Sequence, residues 1–422
     1  MKIKNIILAT CLAFLAVTTF SQTIIYAEYR PRVMVDGGYK TIKLATDPIL
    51  ISISQRSRLN IGFKSKKLDT YFSIQDVRFW GDDDNFSSTA AQGNTKGVSI
   101  HQAWFMFKPS EKISIKTGRQ QFSYDDQRIL SARNWNDYQV TYDALFFQYN
   151  TKKNKVDVAV SWNASGASDA LYPKGKLKTV DFVRYEHPLG KVNFSAIALL
   201  TGNTLADTVS DIALLGTYGV GLLYDQKGYN FRFNGYYQTD MNENGGDISA
   251  WCLSVFGQKK LMASKAAIGI GADLFSGHDA TNTDVNYQTT KHNFNLLYGN
   301  RHGWLGYMDF FSSIPTQGIQ DLMLKAEYNP SKVVKLNADY HYFAYSAKSY
   351  DTTNPTELAT KGLGSELDLT LQWKIMKEAT LQAGYSFMLP TETMEKYKKV
   401  YGKRTRFPQF VFVMITVKPD LF

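Results

Sequence analysis

The sequence has 422 residues, a formal net charge of +10, 14% aromatic residues and 20% charged residues. Its two cysteines, Cys11 and Cys252, exclude a disulfide scaffold and a cysteine-based metal centre. After residue 21 no apolar run approaches the roughly 18 residues that a transmembrane helix needs, and the basic balance favours anionic partners.

Residues 1–21 have the pattern of a cleaved secretory signal peptide. Two lysines give a positively charged start, an apolar stretch covers residues 6–17, and small residues precede a cleavage site before Gln22. The apolar stretch is too short to cross a bilayer as a stable helix. We therefore expect export from the cytoplasm and one mature domain, residues 22–422.

Several segments alternate strictly between apolar and polar residues, which predicts β-strands. In one of them Leu367, Leu369 and Leu371 alternate with Glu366 and Asp368. A face that carries charged side chains cannot be packed core, so it must face water while the opposite face contacts lipid. The clearest segments are residues 156–163, 229–238, 334–343 and 366–374. The sequence therefore predicts an all-β fold, a transmembrane antiparallel up-and-down β-barrel.

Short turns and long polar loops alternate along the chain, as they do in outer-membrane barrels. The strands between them number 18 to 20, because Trp304–Phe311 is either a strand or a loop folded into the barrel. A β-propeller would need repeats of about 40–50 residues, which the sequence lacks. A soluble sandwich does not explain the wide aromatic banding or the aromatic C-terminal residue.

The C-terminal strand, Phe407–Val417, is followed by a final aromatic residue, Phe422. A last amphipathic strand that ends on Phe is typical of outer-membrane barrels. We therefore expect Phe422 to be the membrane-insertion signal and the barrel-assembly machinery to be a partner.

Arginine is concentrated on the polar faces of the predicted strands and in the loops beside them. A guanidinium group stays charged at any working pH and binds carboxylates in a bidentate manner, so a column of arginines would attract anions into the lumen. The alternative is that these arginines pair with Glu28, Asp76, Asp125, Asp126 and Asp143 and stiffen the wall. The predicted lumen residues are Arg30, Arg32, Arg56, Arg58, Arg78, Arg119, Arg128 and Arg232.

Several blocks of sequence resemble the alginate-export family of outer-membrane barrels, in the branch found in Bacteroidetes-type bacteria. They include Ser54–Asn60, Ser73–Gly81, Thr117–Gln120, Tyr124–Arg128 and His302–Asp309. The resemblance implies a monomeric barrel with 18 strands in the outer membrane, whose arginine-rich lumen passes the polyuronate alginate outward. It also implies that the path is lined by Arg56, Arg58, Arg78, Arg119 and Arg128.

The resemblance leaves the cargo open. Carboxylates on the polar faces of later strands, Glu327, Asp339, Glu366 and Asp368, make the far wall less positive than a dedicated polyuronate pore would need. We therefore expect a passive channel for polar, anionic solutes or for an alginate-like exopolysaccharide, the latter with a periplasmic export partner. A general diffusion porin is the alternative, and an outer-membrane barrel enzyme is a distant third.

Other candidate sites have weaker support. Asp339 and His341 share a strand face, but no nucleophile is tied to them, so we do not expect an enzyme or a cofactor. Asp82–Asp84 could hold Ca²⁺ or simply form an acidic solvated loop. The basic loop Thr391–Lys403 could attract anions or lipopolysaccharide phosphates, or be solvated. Nucleic-acid binding is not expected, because the basic residues are dispersed along the strands. The partners expected of an outer-membrane barrel are lipid and lipopolysaccharide.

Overall fold

The computed structural model describes residues 22–81, 97–164, 174–205, 212–241, 246–402 and 407–421. The predicted signal peptide with Cys11, the acidic run Asp82–Asp84, Lys403 and Phe422 lie outside these ranges.

Eighteen strands form one antiparallel sheet in the described part of the chain. The first nine are Gln22–Gly37 (β1), Leu50–Lys64 (β2), Leu68–Phe79 (β3), Ser99–Phe107 (β4), Ile113–Gln120 (β5), Tyr142–Asn150 (β6), Lys155–Val160 (β7), Leu177–Leu189 (β8) and Val192–Thr204 (β9). The others are Ile212–Gln226 (β10), Tyr229–Asp240 (β11), Ser249–Leu261 (β12), Ala266–Phe275 (β13), Ile319–Tyr328 (β14), Val334–Ala344 (β15), Gly362–Met376 (β16), Ala379–Pro390 (β17) and Gln409–Val417 (β18).

The sheet closes into a barrel. Each strand pairs with its neighbours in sequence, and β18 returns to β1 with Val413 opposite Val33. Closure gives the edge strands partners, which a membrane-spanning sheet requires because lipid offers no hydrogen bonds to a free edge. The predicted barrel is confirmed, and the strand number is 18.

Side chains alternate across the wall as the sequence pattern predicts. Along β12, Cys252 and Ser254 are buried, whereas Trp251, Leu253 and Val255 are exposed. Directly paired residues of neighbouring strands project to the same side, so each face is continuous around the barrel. The exposed apolar face is the lipid side, and the buried face is the lumen side.

One end of the barrel carries short turns and the other carries long loops. A typical turn joins β10 to β11 through Lys227 and Gly228, both at positive φ (53° and 78°), the backbone that tight hairpins need. The long loops contain the short helices Val285–Thr289 and Glu392–Tyr397 and the turn Arg301–Gly303, and a further 3-10 turn, Met262–Ser264, follows β12. None of the helices in the described ranges is long and apolar enough to cross a bilayer.

Two of the long connections fold into the lumen. We call residues 121–141, between β5 and β6, the first inward loop, and residues 276–318, between β13 and β14, the second inward loop. They join each other through a parallel bridge between Leu130 and Tyr298, in which the Tyr298 amide donates to the Ile129 carbonyl at 3.0 Å. Trp304–Phe311 therefore belongs to a folded-in loop and is not a strand.

The hydrophobic core lies between these loops and the inner wall. Leu130, Leu305 and Phe311 are at most 2% exposed. Each such side chain contributes about 1.5–3 kcal/mol when it leaves water, so burial holds the loops inside the barrel. The lumen is thus divided by a partition made of the two inward loops.

Candidate functional site: the partition and its two openings

Four of the predicted arginines project into the lumen from β1 and β2. Arg30 lies directly opposite Arg56, and Arg58 lies opposite Glu28. The four residues are each less than 10% exposed: Arg30, Arg32, Arg56 and Arg58. The regular alternation of both strands therefore places them on one face, where the first inward loop covers them.

The first inward loop binds two of these arginines through Asp137. Arg32 Nη2 donates to Asp137 Oδ2 at 2.9 Å, and Arg30 Nη2 donates to the other carboxylate oxygen. Burial alone would raise the pKa of Asp137, but Arg32 and Arg30 lower the pKa below its ordinary value. Asp137 is therefore an anion that fastens the loop to the wall.

The other two wall arginines are also held by protein groups. Arg56 Nε donates to Glu28 Oε1 at 2.7 Å. Arg58 Nη1 donates to the amide oxygen of Gln139 at 2.6 Å, and Arg58 Nη2 to that of Gln75 at 2.7 Å. The guanidinium groups of Arg56 and Arg58 thus donate to wall residues, Glu28 and Gln75, and to Gln139 of the first inward loop.

Arg119 lies on the outer face of the barrel, so its predicted lumen position is wrong, whereas Arg78 has an outward strand register but stands at the rim of a cavity on the long-loop side. Arg78 is opposite Gln55, whose neighbour Arg56 points inward. Arg119 is opposite Asp143 and donates to it at 2.7 Å on the outside. The lumen assignment of Arg119 comes from its place in a neighbouring strand and from the family resemblance, and neither fixes the face on which a side chain lies.

Arg128 is enclosed inside the partition. It donates to Asp126 Oδ2 at 2.6 Å and to Asp273 Oδ2 at 2.7 Å. Its guanidinium also lies 4.2 Å from the ring centroid of Trp304 in the second inward loop. Arg128 therefore links both inward loops to β13.

A cavity of about 160 Å³ opens on the short-turn side of the partition. Arg184 and Arg232 line it. Arg184 pairs with Asp125 and Glu186 at 2.7 and 2.8 Å. Arg232 has no carboxylate within 4 Å among the described residues and instead lies over the ring of Phe256, at 4.8 Å. Its Nε is buried without a hydrogen-bond partner in the described part of the chain.

A larger cavity, about 520 Å³, opens on the long-loop side. Arg133 of the first inward loop and Arg301 of the second line it. Arg133 Nε donates to the Gly299 carbonyl at 2.9 Å, and Arg301 Nη2 to the Leu297 carbonyl at 3.2 Å. Neither has a carboxylate within 4 Å in the described ranges. Burial and the neighbouring Arg301 lower the pKa of Arg133 to about 10, which leaves it cationic at neutral pH.

Aromatic side chains support the same cavity. Trp135 stacks on His302 with ring centroids 3.8 Å apart, and Arg32 lies 4.1 Å from the Trp135 ring. His302 Nδ1 is 3.1 Å from Asp309 Oδ1, and the Tyr39 hydroxyl donates to the other oxygen of that carboxylate. These contacts fix both inward loops at the mouth.

The opposite wall, from β13 to β16, is acidic. Asp321, Glu366 and Asp368 are at most 1% exposed beneath the second inward loop. His341 Nδ1 lies 2.8 Å from Asp321, so the sequence pair Asp339–His341 is not brought together as a catalytic dyad. Asp339 instead accepts from Lys325 at 2.8 Å. No group of three metal-binding side chains occurs among the described residues.

The basic loop after β17 is also tied down. Lys396 pairs with Asp351 at 2.7 Å and with Glu392 at 2.6 Å. Lys398 Nζ donates to the Phe310 carbonyl of the second inward loop at 2.9 Å. Burial lowers the pKa of Lys398 to about 8. Two of the loop's four lysines therefore fasten loops to one another.

Solved structures share this fold. The chain aligns with Pseudomonas aeruginosa OccK9 (OpdG) at 10% identity and a TM-score of 0.61, over 95% of this chain and 99% of the other. It also aligns with the P. aeruginosa outer membrane protein OpdK at 9% identity and a TM-score of 0.59, over 94% of this chain and 99% of OpdK. With Acinetobacter baumannii OccAB4 the identity is 8% and the TM-score is 0.59, over 96% of this chain and 99% of OccAB4. No curated protein matches the chain by sequence.

The family comparison agrees with the sequence blocks and the barrel. The model of the alginate export family matches residues 56–168 and 181–407. This range includes the first inward loop, the second inward loop and most of the strands. The chain therefore belongs to the alginate-export family and is an outer-membrane β-barrel channel for solutes.

Proposed function

We propose that this channel passively conducts anionic solutes, with an alginate-like exopolysaccharide as one possible cargo. The observation that carries the proposal is the pair Arg133 and Arg301 at the long-loop mouth, both without a carboxylate partner in the described ranges. Within the described ranges, their guanidinium groups donate only to neutral carbonyl oxygens. A carboxylate that enters the cavity can therefore compete for their remaining donors with the advantage of charge.

A second cationic group supports the proposal from the other side of the partition. Arg232 faces the short-turn cavity and lies over two aromatic rings, without an ion pair to any described carboxylate. An anion crossing the barrel would meet guanidinium groups before and after the partition. Successive sites of similar strength favour passage, because each site attracts the ion without retaining it.

The general diffusion porin remains the second candidate, and one observation favours it. Arg30 and Arg32 are paired with Asp137, and Arg56 is paired with Glu28, and all three arginines are buried, so the densest arginine cluster is not presented directly to a solute. Passage of a polymer would also require the partition to move, and export of a polymer would call for a periplasmic partner. A small anion makes neither demand.

The deciding experiment is the reversal potential of the purified barrel in a planar bilayer under a salt gradient. We expect anion preference in the unaltered protein and its loss in the double variant Arg133→Gln, Arg301→Gln. The control is Arg119→Gln, Asp143→Asn, which removes an ion pair from the outer face and should keep the preference. Equal selectivity in all three proteins would contradict the proposal and favour the general porin. Added polyuronate should block the current if the cargo is a polymer.

A further inference from the structure

The second inward loop is seated on two adjacent carboxyl groups of β16. The Met308 amide donates to Glu366 Oε1 at 2.7 Å, and the Tyr307 amide donates to Asp368 Oδ2 at 3.2 Å. Gly306, at φ 78°, packs so closely that an added Cβ would lie 2.4 Å from Glu366 Oε1. The loop backbone is therefore fitted to these two side chains.

The remaining oxygens of the two carboxyl groups are buried and unsatisfied. Glu366 Oε2 and Asp368 Oδ1 have no hydrogen-bond partner within the described ranges. The two residues stand two positions apart on one face of β16, and the consecutive amides of Tyr307 and Met308 each bind one of them, so the two carboxyl groups are close neighbours. Two carboxylate oxygens are both acceptors, so they can bond only if a proton lies between them. Adjacent buried carboxyl groups that share one proton are a known solution to this conflict.

Among the described residues, His341 is the one basic side chain within 4 Å of either carboxyl group, and it is shared with Asp321. The neighbouring carboxylates Asp309, Asp321 and Asp339 already have partners, namely His302 at 3.1 Å, His341 at 2.8 Å and Lys325 at 2.8 Å. The same His341 ring reaches Asp368 only loosely, with Nε2 3.9 Å from Asp368 Oδ2, so it offsets one negative charge at this site but not two. On the other side, β17 places the uncharged Met388 and Ser386 opposite Glu366 and Asp368. A single shared proton is therefore the state that fits this site.

We propose that one proton shared by Glu366 and Asp368 latches the second inward loop inside the lumen, and that loss of this proton opens the channel. When the proton leaves to solvent water, two adjacent anions repel each other and the seat of Met308 and Tyr307 is distorted. The inference rests on the channel function but not on the proposed anion preference. Conductance and selectivity are therefore scored separately.

The first experiment measures conductance between pH 5 and pH 10. Because one proton is linked to opening, the open fraction of the unaltered protein should rise about tenfold per pH unit on the steep flank. Glu366→Gln should stay closed throughout, because the amide donates to Asp368 without a shared proton. Glu366→Ala should conduct strongly even at low pH. The control Glu327→Gln alters another lumen carboxylate, paired with Lys335, and should keep the normal pH dependence.

A second readout follows the loop directly. Trypsin added at pH 8 should cleave after Arg301 faster in Glu366→Ala than in the unaltered protein, and no faster in Glu366→Gln. Conductance that does not depend on pH, or an unchanged pH dependence in Glu366→Gln, would overturn the latch. Pores with this pH dependence but without anion preference would keep the latch and overturn only the proposed selectivity.

Discussion

Arg32 and Asp137 join the barrel wall to the first inward loop: Nη2 of Arg32 donates to Oδ2 of Asp137 at 2.9 Å, and both residues are less than 10% exposed. Arg30 shares the same carboxylate. The residues that sequence reasoning assigned to solute passage thus hold the partition in place. Arg30 and Arg32 can bind a passing solute only when their ion pairs with Asp137 are broken.

We predict that Asp137→Ala loosens the first inward loop. The change leaves Arg30 and Arg32 buried without a carboxylate, and breaking one side of a buried pair costs about 3–5 kcal/mol. Single-channel conductance should rise and anion preference should increase, since two guanidinium groups are freed. Asp143→Ala is the matched control, because its partner Arg119 lies on the exposed outer face, where an ion pair contributes about 0–1 kcal/mol. Equal single-channel conductance in Asp137→Ala and Asp143→Ala would contradict the role of Asp137 in holding the first inward loop.

The same contact should resist mild acid. The pKa of Asp137 is lowered below about 3.8 in the folded protein, so its stabilising contribution is fully present above that value and is lost as the pH falls through the lowered pKa. We expect no loosening of this loop between pH 7 and pH 5, and an increase in current noise only as the pH falls through the lowered pKa of Asp137. Asp137→Asn should abolish that acid transition. A transition near pH 5 that occurs in the unaltered protein and is absent from Asp137→Asn would show that Asp137 is not held as an anion.

Arg128 should be the most important single residue for the stability of the partition. It is buried between Asp126 and Asp273, and Arg128→Met would leave two carboxylates without their cation. We predict a loss of about 3–5 kcal/mol in the free energy of unfolding. The urea midpoint in detergent measures this loss. Arg119→Met, which removes an exposed arginine, should shift the midpoint little, and a similar shift in both variants would argue against the buried role.

The strand pattern was sufficient to predict the barrel and part of its inner surface. Alternation along β1 and β2 puts Arg30, Arg32, Arg56 and Arg58 on one strand face, because a period of two leaves only two faces, and the structure buries all four. This reasoning does not extend to Arg119, because its place in a following strand does not decide on which face the side chain lies. A charged residue on the outer face, paired with Asp143, breaks the rule that the lipid face is apolar.

The loops could not be predicted in the same way. Arg133 and Arg301 lie in segments without periodicity, and they meet only because Leu130 pairs with Tyr298 across the lumen. That contact joins residues far apart in sequence, so no local pattern encodes it. The one available signal was the density of apolar residues in 292–314, which is unusual for a solvated loop. Alternation could not show whether this segment was a strand or a folded-in loop.

Arg232 gives a test of the short-turn opening that is independent of the mouth. Its guanidinium lies over Phe256 and Trp304, at 4.8 and 5.4 Å, and no carboxylate within 4 Å in the described residues neutralises it. Arg232→Gln removes one positive charge from one side of the partition only. We therefore predict that anion current entering from the short-turn side falls while current from the long-loop side is less affected, which makes the current–voltage curve asymmetric.

The matched control for this prediction is Arg232→Lys, which keeps the charge but not the planar group. If Arg232 acts as a cation toward solute, the lysine variant should retain most of the current, because the electrostatic attraction depends on charge. If its role is to pack between the rings of Phe256 and Trp304, both variants should change the current alike, since neither keeps the flat stacking surface. The difference between Gln and Lys thus separates attraction of solute from support of the second inward loop.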